Sequence, residues 1–209
     1  MNTDLQGFVA QSEDTSELID SFLQKHLIFN FSNRDEQLVA LAKAVAEIPW
    51  GMGRTVQEVL VSKGVGTCTG KHRVLQNCFE VLNIPYETVV CIFKWSDQGI
   101  EYPASLKKNL DEGEEWKHGH NFVRAQKLDG QWFDLDINWD FALGKAGFIT
   151  AENWDGQSDL VAVKNSIDRW DGAKIGEMKI QLIEFLSDDQ RRRREEFLDG
   201  LIEWTASLR

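Results

Sequence analysis

The 209 residues include only three prolines, three cysteines, three methionines and two tyrosines, and the 23 Lys and Arg are outnumbered by 34 Asp and Glu. With 42% hydrophobic and 27% charged residues, so little proline excludes collagen-like and disordered chains. Cys68, Cys78 and Cys91 are an odd number at no repeated short spacing, which fits a reducing compartment better than a disulfide framework. None is needed, because a chain this long buries roughly 70% of its unfolded surface. The net charge of -11 argues against partners held through phosphates, both nucleic acid and anionic lipid. The one basic run, Arg191 to Arg194, lies between Asp188-Asp189 and Glu195-Glu196 and reads as a salt-bridged helical surface. No stretch approaches the ~18 apolar residues of a membrane span, and Met1 to Phe8 lacks a basic region followed by an apolar run. The expectation is a cytoplasmic protein forming one domain over 1–209, with oligomeric state open.

The first third reads as helix. Asp14 or Thr15 can cap a segment in which Leu18, Phe22 and Leu23 recur, and Leu38, Leu41, Ala42 and Val45 mark another helix stopped by Pro49. Val56, Val59 and Leu60 suggest a short helix before Gly64-Val65-Gly66, and Val74, Leu75, Cys78, Phe79 and Leu82 a buried one starting at Cys68. Glu87 to Trp95 reads as a buried strand and Gln98 to Lys117 as a long polar loop. Within that loop Asp111-Glu112-Gly113-Glu114-Glu115 lacks the alternating oxygen ligands of a calcium site and reads as solvated. Two strands flank Leu128-Asp129-Gly130. A three-residue turn with Gly130 at positive φ pairs Lys127 with Gln131, Phe122 with Asp136 and His120 with Asn138, bringing Asp136 within reach of His120. A two-residue Asp-Gly turn would put Asp136 on the opposite face. From Phe148 onward the chain returns to helix, with a Ser187/Gln190 capping box and a core stripe of Phe197, Leu201, Trp204 and Leu208.

A helix N-terminus favours thiolate, so Cys68 is the candidate nucleophile, preceded by a small Gly-Val-Gly-Thr segment whose main-chain N–H groups could face an oxyanion. Cys78 and Cys91 sit at apolar positions and read as small buried hydrophobes. A nucleophilic cysteine needs a base and a group that orients the base, and His120 and Asp136 are the candidates.

These residues resemble a known family. Gly66-Thr67-Cys68, an apolar helix to Leu82-Asn83-Ile84-Pro85 and a strand at Val89-Val90 look like the Gly-x-Cys, helix, Gly-Ile-Pro, strand signature of the transglutaminase-like superfamily. His120-Asn121-Phe122-Val123 is similar to its His-x-aromatic strand, and Trp132 to Asp136 to its Trp-x-x-x-Asp, so the resemblance places the Asp role on Asp136 rather than Asp134. Ile48-Pro49-Trp50-Gly51 followed by Gly66 to His72 resembles an uncharacterised microbial branch. The chain departs from the pattern at Asn83, usually Gly, and at Asp136-Ile137-Asn138, where Asp-Pro-Thr is common. The resemblance implies an α+β, papain-like core over roughly 48–140, with the Cys helix packed on an antiparallel sheet and helical extensions over 14–47 and 150–208. It implies a Cys68-His120-Asp136 triad and a superfamily that includes crosslinkers, peptidases, amidases and peptide N-glycanases.

The expected chemistry is acyl transfer through a thioester, with hydrolysis preferred to amine transfer, no cofactor, and a protein, peptide or small amide as substrate. Trp50, Gly66, Thr67, His72 and His118 are the candidate substrate-binding residues, His72 being read as a helix-surface or substrate-facing side chain. A rival reading makes Cys68, His72, His118 and His120 a tetrahedral zinc site, since the pairs are i, i+4 on a helix and i, i+2 on a strand. A third keeps the fold as a binding module without the chemistry. Trp50, Trp95, Trp116, Trp132, Trp139 and Trp154 are candidates to line a cleft, most of the eight tryptophans being expected in the core.

Overall fold

Local chemistry starts and stops the helices that frame the site. The computed structural model describes residues 15–209, so Asp14 lies outside the described residues. Helix α1 (Ser16–Lys25) buries Ile19, Phe22 and Leu23; Thr15 precedes it without capping it, its hydroxyl donating instead to Asn77 Oδ1 at 2.7 Å. In α2 (Arg34–Ala46) the Asn33 side chain accepts the N–H groups of Asp35 and Glu36, and Leu38, Leu41, Ala42 and Val45 are buried. Residues Glu58–Ser62 then form one π-helical turn. Helix α3 (Cys68–Val81) starts at Thr67, whose hydroxyl accepts the Gly70 N–H, and it buries Val74, Leu75, Cys78 and Phe79. It ends at Asn83, held at φ +52°, a conformation in which Gly or Asn is least strained.

Strand β1 (Tyr86–Phe93) pairs antiparallel with β2 (His118–Gln126), which turns into β3 (Trp132–Leu135). Gly130 has φ +88°, the Lys127 N–H donates to the Gln131 carbonyl at 2.8 Å, and the ladder runs from Gln126↔Trp132 to Val123↔Leu135. This is the register of the three-residue turn. The fold is α+β, and its sheet is wholly antiparallel in the order β3-β2-β1-β4, the edge strand β4 being Asp168–Asp171.

Three expectations are corrected. Residues 98–117 are not one loop: they contain α4 (Ala104–Asp111), whose Leu106 and Leu110 are buried. The acidic run is not wholly solvated either, because buried Glu115 accepts the Trp95 N–H at 2.5 Å. After Phe148 the chain does not go directly to helix; β4 (Asp168–Asp171), an exposed and highly charged edge strand, precedes α5 (Ile175–Glu184) and α6 (Asp188–Ser207). The capping box at Ser187 and Gln190 is present. In the arginine run, Arg192 bridges Asp189 and Glu196 on the surface as expected. Arg193, however, is buried and donates to the carbonyls of Asn109 and Glu114, tying α6 to α4.

Consecutive side chains of β2 enter different cores. Val123 joins α1, α2 and α3, whereas Phe122 joins Phe93, Trp95, Trp116, Trp139 and the α6 stripe residues Phe197 and Leu201. Trp204 and Leu208 pack on that second core, and burying Phe197 alone stabilises the fold by roughly 1.5–3 kcal/mol. Among the described residues no helix is long and apolar enough to cross a membrane.

Candidate active site

Cys68 occupies the first position of α3 and its thiol is half-buried on the floor of a cleft. Gly66 and Thr67 give their N–H groups to the carbonyls of Pro49 and Gly53, at 2.9 and 2.8 Å. At the start of α3 that leaves the Cys68 N–H, which has no partner within its own helix, while from β2 the Asn121 N–H is directed at the sulfur. Gly66 serves packing: a Cβ there would sit 2.7 Å from Lys71 Cγ, so the residue is absent from the cleft lining, whereas Thr67 is part of it.

His120 lies on β2, and its Nε2 donates to Asp136 Oδ2 at 2.7 Å, both groups being buried. His120 also acts on the Cys68 thiol, through its charge and a side-chain hydrogen bond. Phe122 stacks on the imidazole at 29°, and Phe93 and His72 meet it edge-on. Asp136 Oδ2 also accepts the Ala162 N–H at 3.1 Å, and the Asp136 N–H is held by the Leu160 carbonyl at 2.8 Å. Residues 160–162 thus fix the carboxylate, which no motif in the sequence signalled. Asp134 points elsewhere, paired with Arg169 of β4.

The electrostatics follow from burial opposed by neighbouring charge. Burial alone would push the Cys68 thiol up; the Lys179 ammonium and then His120, helped by the Asn121 N–H, bring it down to about 5. Burial disfavours a charged His120, yet Asp136 and the Cys68 thiolate raise it to about 9. For Asp136, burial is outweighed by His120 and the carboxyl lies below its ordinary range. The three groups titrate as a unit, favouring a thiolate-imidazolium pair around neutrality. Burial alone pushes Cys78 above the usual thiol range, and burial, reinforced by Asp136, raises Cys91 to about 12, in keeping with inert structural thiols.

His72 is not on the surface. It is fully buried, its Nδ1 donates to the Cys68 carbonyl at 2.7 Å and its Nε2 accepts the Ile137 N–H at 3.2 Å. Burial lowers its pKa to about 4, so it is neutral, and Nε2 lies 3.6 Å from Asp136 Oδ1. The departure from Asp-Pro-Thr acquires a reason here, since a proline at 137 would have no N–H for His72. Neighbouring Lys71 is also fully buried, donating to the carbonyls of Ala46 and Asn138 and so clamping α2 to the strand end.

The four-ligand zinc arrangement is not formed. Both ring nitrogens of His72 are committed to the main chain, and the His120 Nε2 is committed to Asp136. Among the described residues no group of three or more His, Cys, Asp and Glu side chains is arranged to hold a metal. His118 instead packs against Phe93 and Trp95, at 5.3 and 4.9 Å between ring centroids, where burial holds its pKa well below the ordinary value.

The cleft over Cys68 is lined by Trp50, Trp95, Trp139, His118, Leu182 and Leu198 among others. Trp50 and Trp139 meet at 5.2 Å, and the Trp50 N–H is fixed by Asp140, itself paired with Arg209. Trp116 and Trp154 are core, and Trp132 is partly exposed away from the cleft. Helix α5 supplies a residue that sequence reasoning missed: Lys179 is buried, with Nζ 3.4 Å from Cys68 Sγ. An isolated lysine in a helix 111 positions from its partner gives no sequence signal. The site therefore draws on residues outside 48–140. No protein-family model matches the chain, and no curated protein matches it in sequence.

Proposed function

We propose that the protein is a cysteine enzyme of the transglutaminase-like, papain-like type. It transfers an acyl group through Cys68 and, in its simplest reaction, hydrolyses an amide or peptide-like bond. The observation that carries this reading is the buried 2.7 Å contact between His120 Nε2 and Asp136 Oδ2, made by an imidazole that is also hydrogen-bonded to the Cys68 thiol. That order of groups is what a thiol nucleophile with an oriented base requires.

In this mechanism the Cys68 thiolate attacks the substrate carbonyl, and the Cys68 N–H at the start of α3 donates to the developing oxyanion. His120, carrying the thiol proton, protonates the departing amine as the carbon-nitrogen bond breaks. Water then gives its proton to His120, attacks the thioester and releases the acid and the thiol. Asp136 stabilises the imidazolium and holds its tautomer throughout. The tryptophan walls suit an apolar or aromatic group next to the scissile bond. Three free cysteines suit a reducing, cytoplasmic setting.

Turnover of a panel of amides, peptides and activated esters tests the reading. Cys68→Ala and His120→Ala should each abolish it while near-ultraviolet circular dichroism stays that of the parent. Activity retained in either variant would leave the thiol or the imidazole without a role, and the proposal would fall.

A further inference from the structure

Among the described residues, Lys179 is the one buried cation beside the sulfur that the acyl-transfer mechanism above leaves unused. Its ammonium donates to Asn121 Oδ1 at 2.6 Å and Thr69 Oγ1 at 3.1 Å and is directed at Cys68 Sγ at 3.4 Å. The first two acceptors are locked together, because the Thr69 hydroxyl donates to the same Asn121 oxygen at 2.8 Å. A lysine has three N–H donors, and two are thereby fixed by neutral oxygens while the third faces sulfur. Among the described residues no carboxylate is paired with it, and a buried charge without a counter-ion is costly. Gly119 keeps the contact close: a Cβ there would lie 3.2 Å from Lys179 Cγ and 3.0 Å from Leu182 Cδ1, so those side chains would have to give by a few tenths of an ångström.

We propose, resting on the acyl-transfer reading, that Lys179 is a catalytic residue. Its ammonium is the counter-ion of the Cys68 thiolate and follows the negative charge to the carbonyl oxygen as the tetrahedral adduct forms. In that step the sulfur-carbon bond forms, the carbonyl π pair moves to oxygen, and the charge leaves sulfur. A cation held at 3.4 Å from sulfur serves both ends of the transfer without crossing the site. His120 remains the group that moves protons, so the two cations divide the work: Lys179 keeps the sulfur ionised and His120 protonates the leaving group. The catalytic centre is thus completed by α5, outside the 48–140 core.

Other groups that face the sulfur set the background for any pH measurement. They are His120, His118 and the Asn121 N–H from β2, neutral His72 on α3, Cys91 on β1, and Asp136 behind His120. Arg54, Lys117 and Arg194 lie further along the cleft, and Arg169 acts on Cys91. Asn121 also accepts from the Lys179 ammonium through its Oδ1, and Lys179 acts on His118, so Lys179→Arg, which keeps the charge, is the control that isolates the effect of removing it.

The test is the pH dependence of iodoacetamide reaction at Cys68, read by peptide mass spectrometry on the full chain. It compares the parent with Lys179→Met, Lys179→Arg and His120→Ala, with folding checked by near-ultraviolet circular dichroism. Lys179→Met should raise the alkylation midpoint by about one to three pH units, and Lys179→Arg should recover most of the shift. His120→Ala should still leave sulfur reactive near neutrality although turnover is lost. If Lys179→Met does not fold, Lys179→Gln, which removes the charge but keeps a polar side chain beside Asn121 and Thr69, should raise the midpoint in the same direction. A parent midpoint at the ordinary thiol value near 8.5 would remove the acyl-transfer reading and this one with it. A low parent midpoint left unmoved by Lys179→Met, or by Lys179→Gln in its place, would overturn the role of Lys179 alone.

Discussion

Replacing His72 by leucine should destabilise the protein at neutral pH and do so progressively less as the solution is acidified. The imidazole lies fully buried, donating from Nδ1 to the Cys68 carbonyl and accepting the Ile137 N–H at Nε2. Leucine leaves the Ile137 N–H buried without a partner, a loss of about 1–3 kcal/mol, and removes a second hydrogen bond of about 1 kcal/mol. The Cys68 carbonyl keeps its helical partner, so the sum at pH 7 is roughly 2–4 kcal/mol. Acid works against the parent. The folded pKa of about 4 lies below the ordinary imidazole value of 6.5, so between these values the unfolded chain binds a proton that the folded chain does not. Stability linked to neutral His72 is present above 6.5 and is lost as pH falls through that window, by about 3 kcal/mol in all. Groups that titrate in the same range in both proteins, Cys68 and His118 among them, drop out of the difference. Urea unfolding followed by tryptophan fluorescence at pH 7, 6, 5 and 4.5 measures both curves. The gap between parent and His72→Leu should narrow steadily and approach zero near the acid end. A gap that stays constant with pH would mean that His72 is not held neutral by burial, and a gap under about 0.5 kcal/mol at pH 7 would refute the hydrogen-bond argument.

Asp136→Asn keeps the shape of the orienting group but removes its charge, so His120 should lose its elevation toward about 9 and turnover should fall at least about 100-fold with little loss of stability; an unchanged rate would deny Asp136 its role. Gly70→Ala puts a Cβ 2.3 Å from the Gly53 carbonyl oxygen, which is main chain and cannot step aside, and should lower stability by about 1–3 kcal/mol. Thermal unfolding checks it, and an unshifted midpoint would show that the turn at Gly53 yields freely.

Several features of the fold were legible because their determinants are local. Gly130 at positive φ selects a three-residue turn, and that choice alone places Asp136 next to His120. Thr67 capping α3 puts Cys68 at the positive end of a helix, and the Ser187/Gln190 box starts α6. Asn83 replaces a glycine of the resembled pattern yet keeps its left-handed backbone. What escaped reading depends on tertiary placement. β4 is Asp-Arg-Trp-Asp with every residue exposed, so it carries no apolar alternation to recognise. Helix α4 hides in a polar stretch because only Leu106 and Leu110 face α6. His72 was misread because a histidine one turn along a helix from a cysteine gives no indication of burial, which here comes from the Ile137 N–H closing over it. Lys179 and the Ala162 N–H reach the site from distant segments, 111 and 26 positions from their partners.

The central claim is that Cys68 accepts an acyl group which the site then releases. Intact-mass and peptide mass spectrometry during reaction with an activated aryl ester at pH 7 tests it without knowledge of the natural substrate. A transient acyl adduct should form on Cys68, be released by water in the parent protein, persist longer in Asp136→Asn and be absent from Cys68→Ala. Acylation confined to surface lysines, equal in the parent and Cys68→Ala proteins, would contradict it.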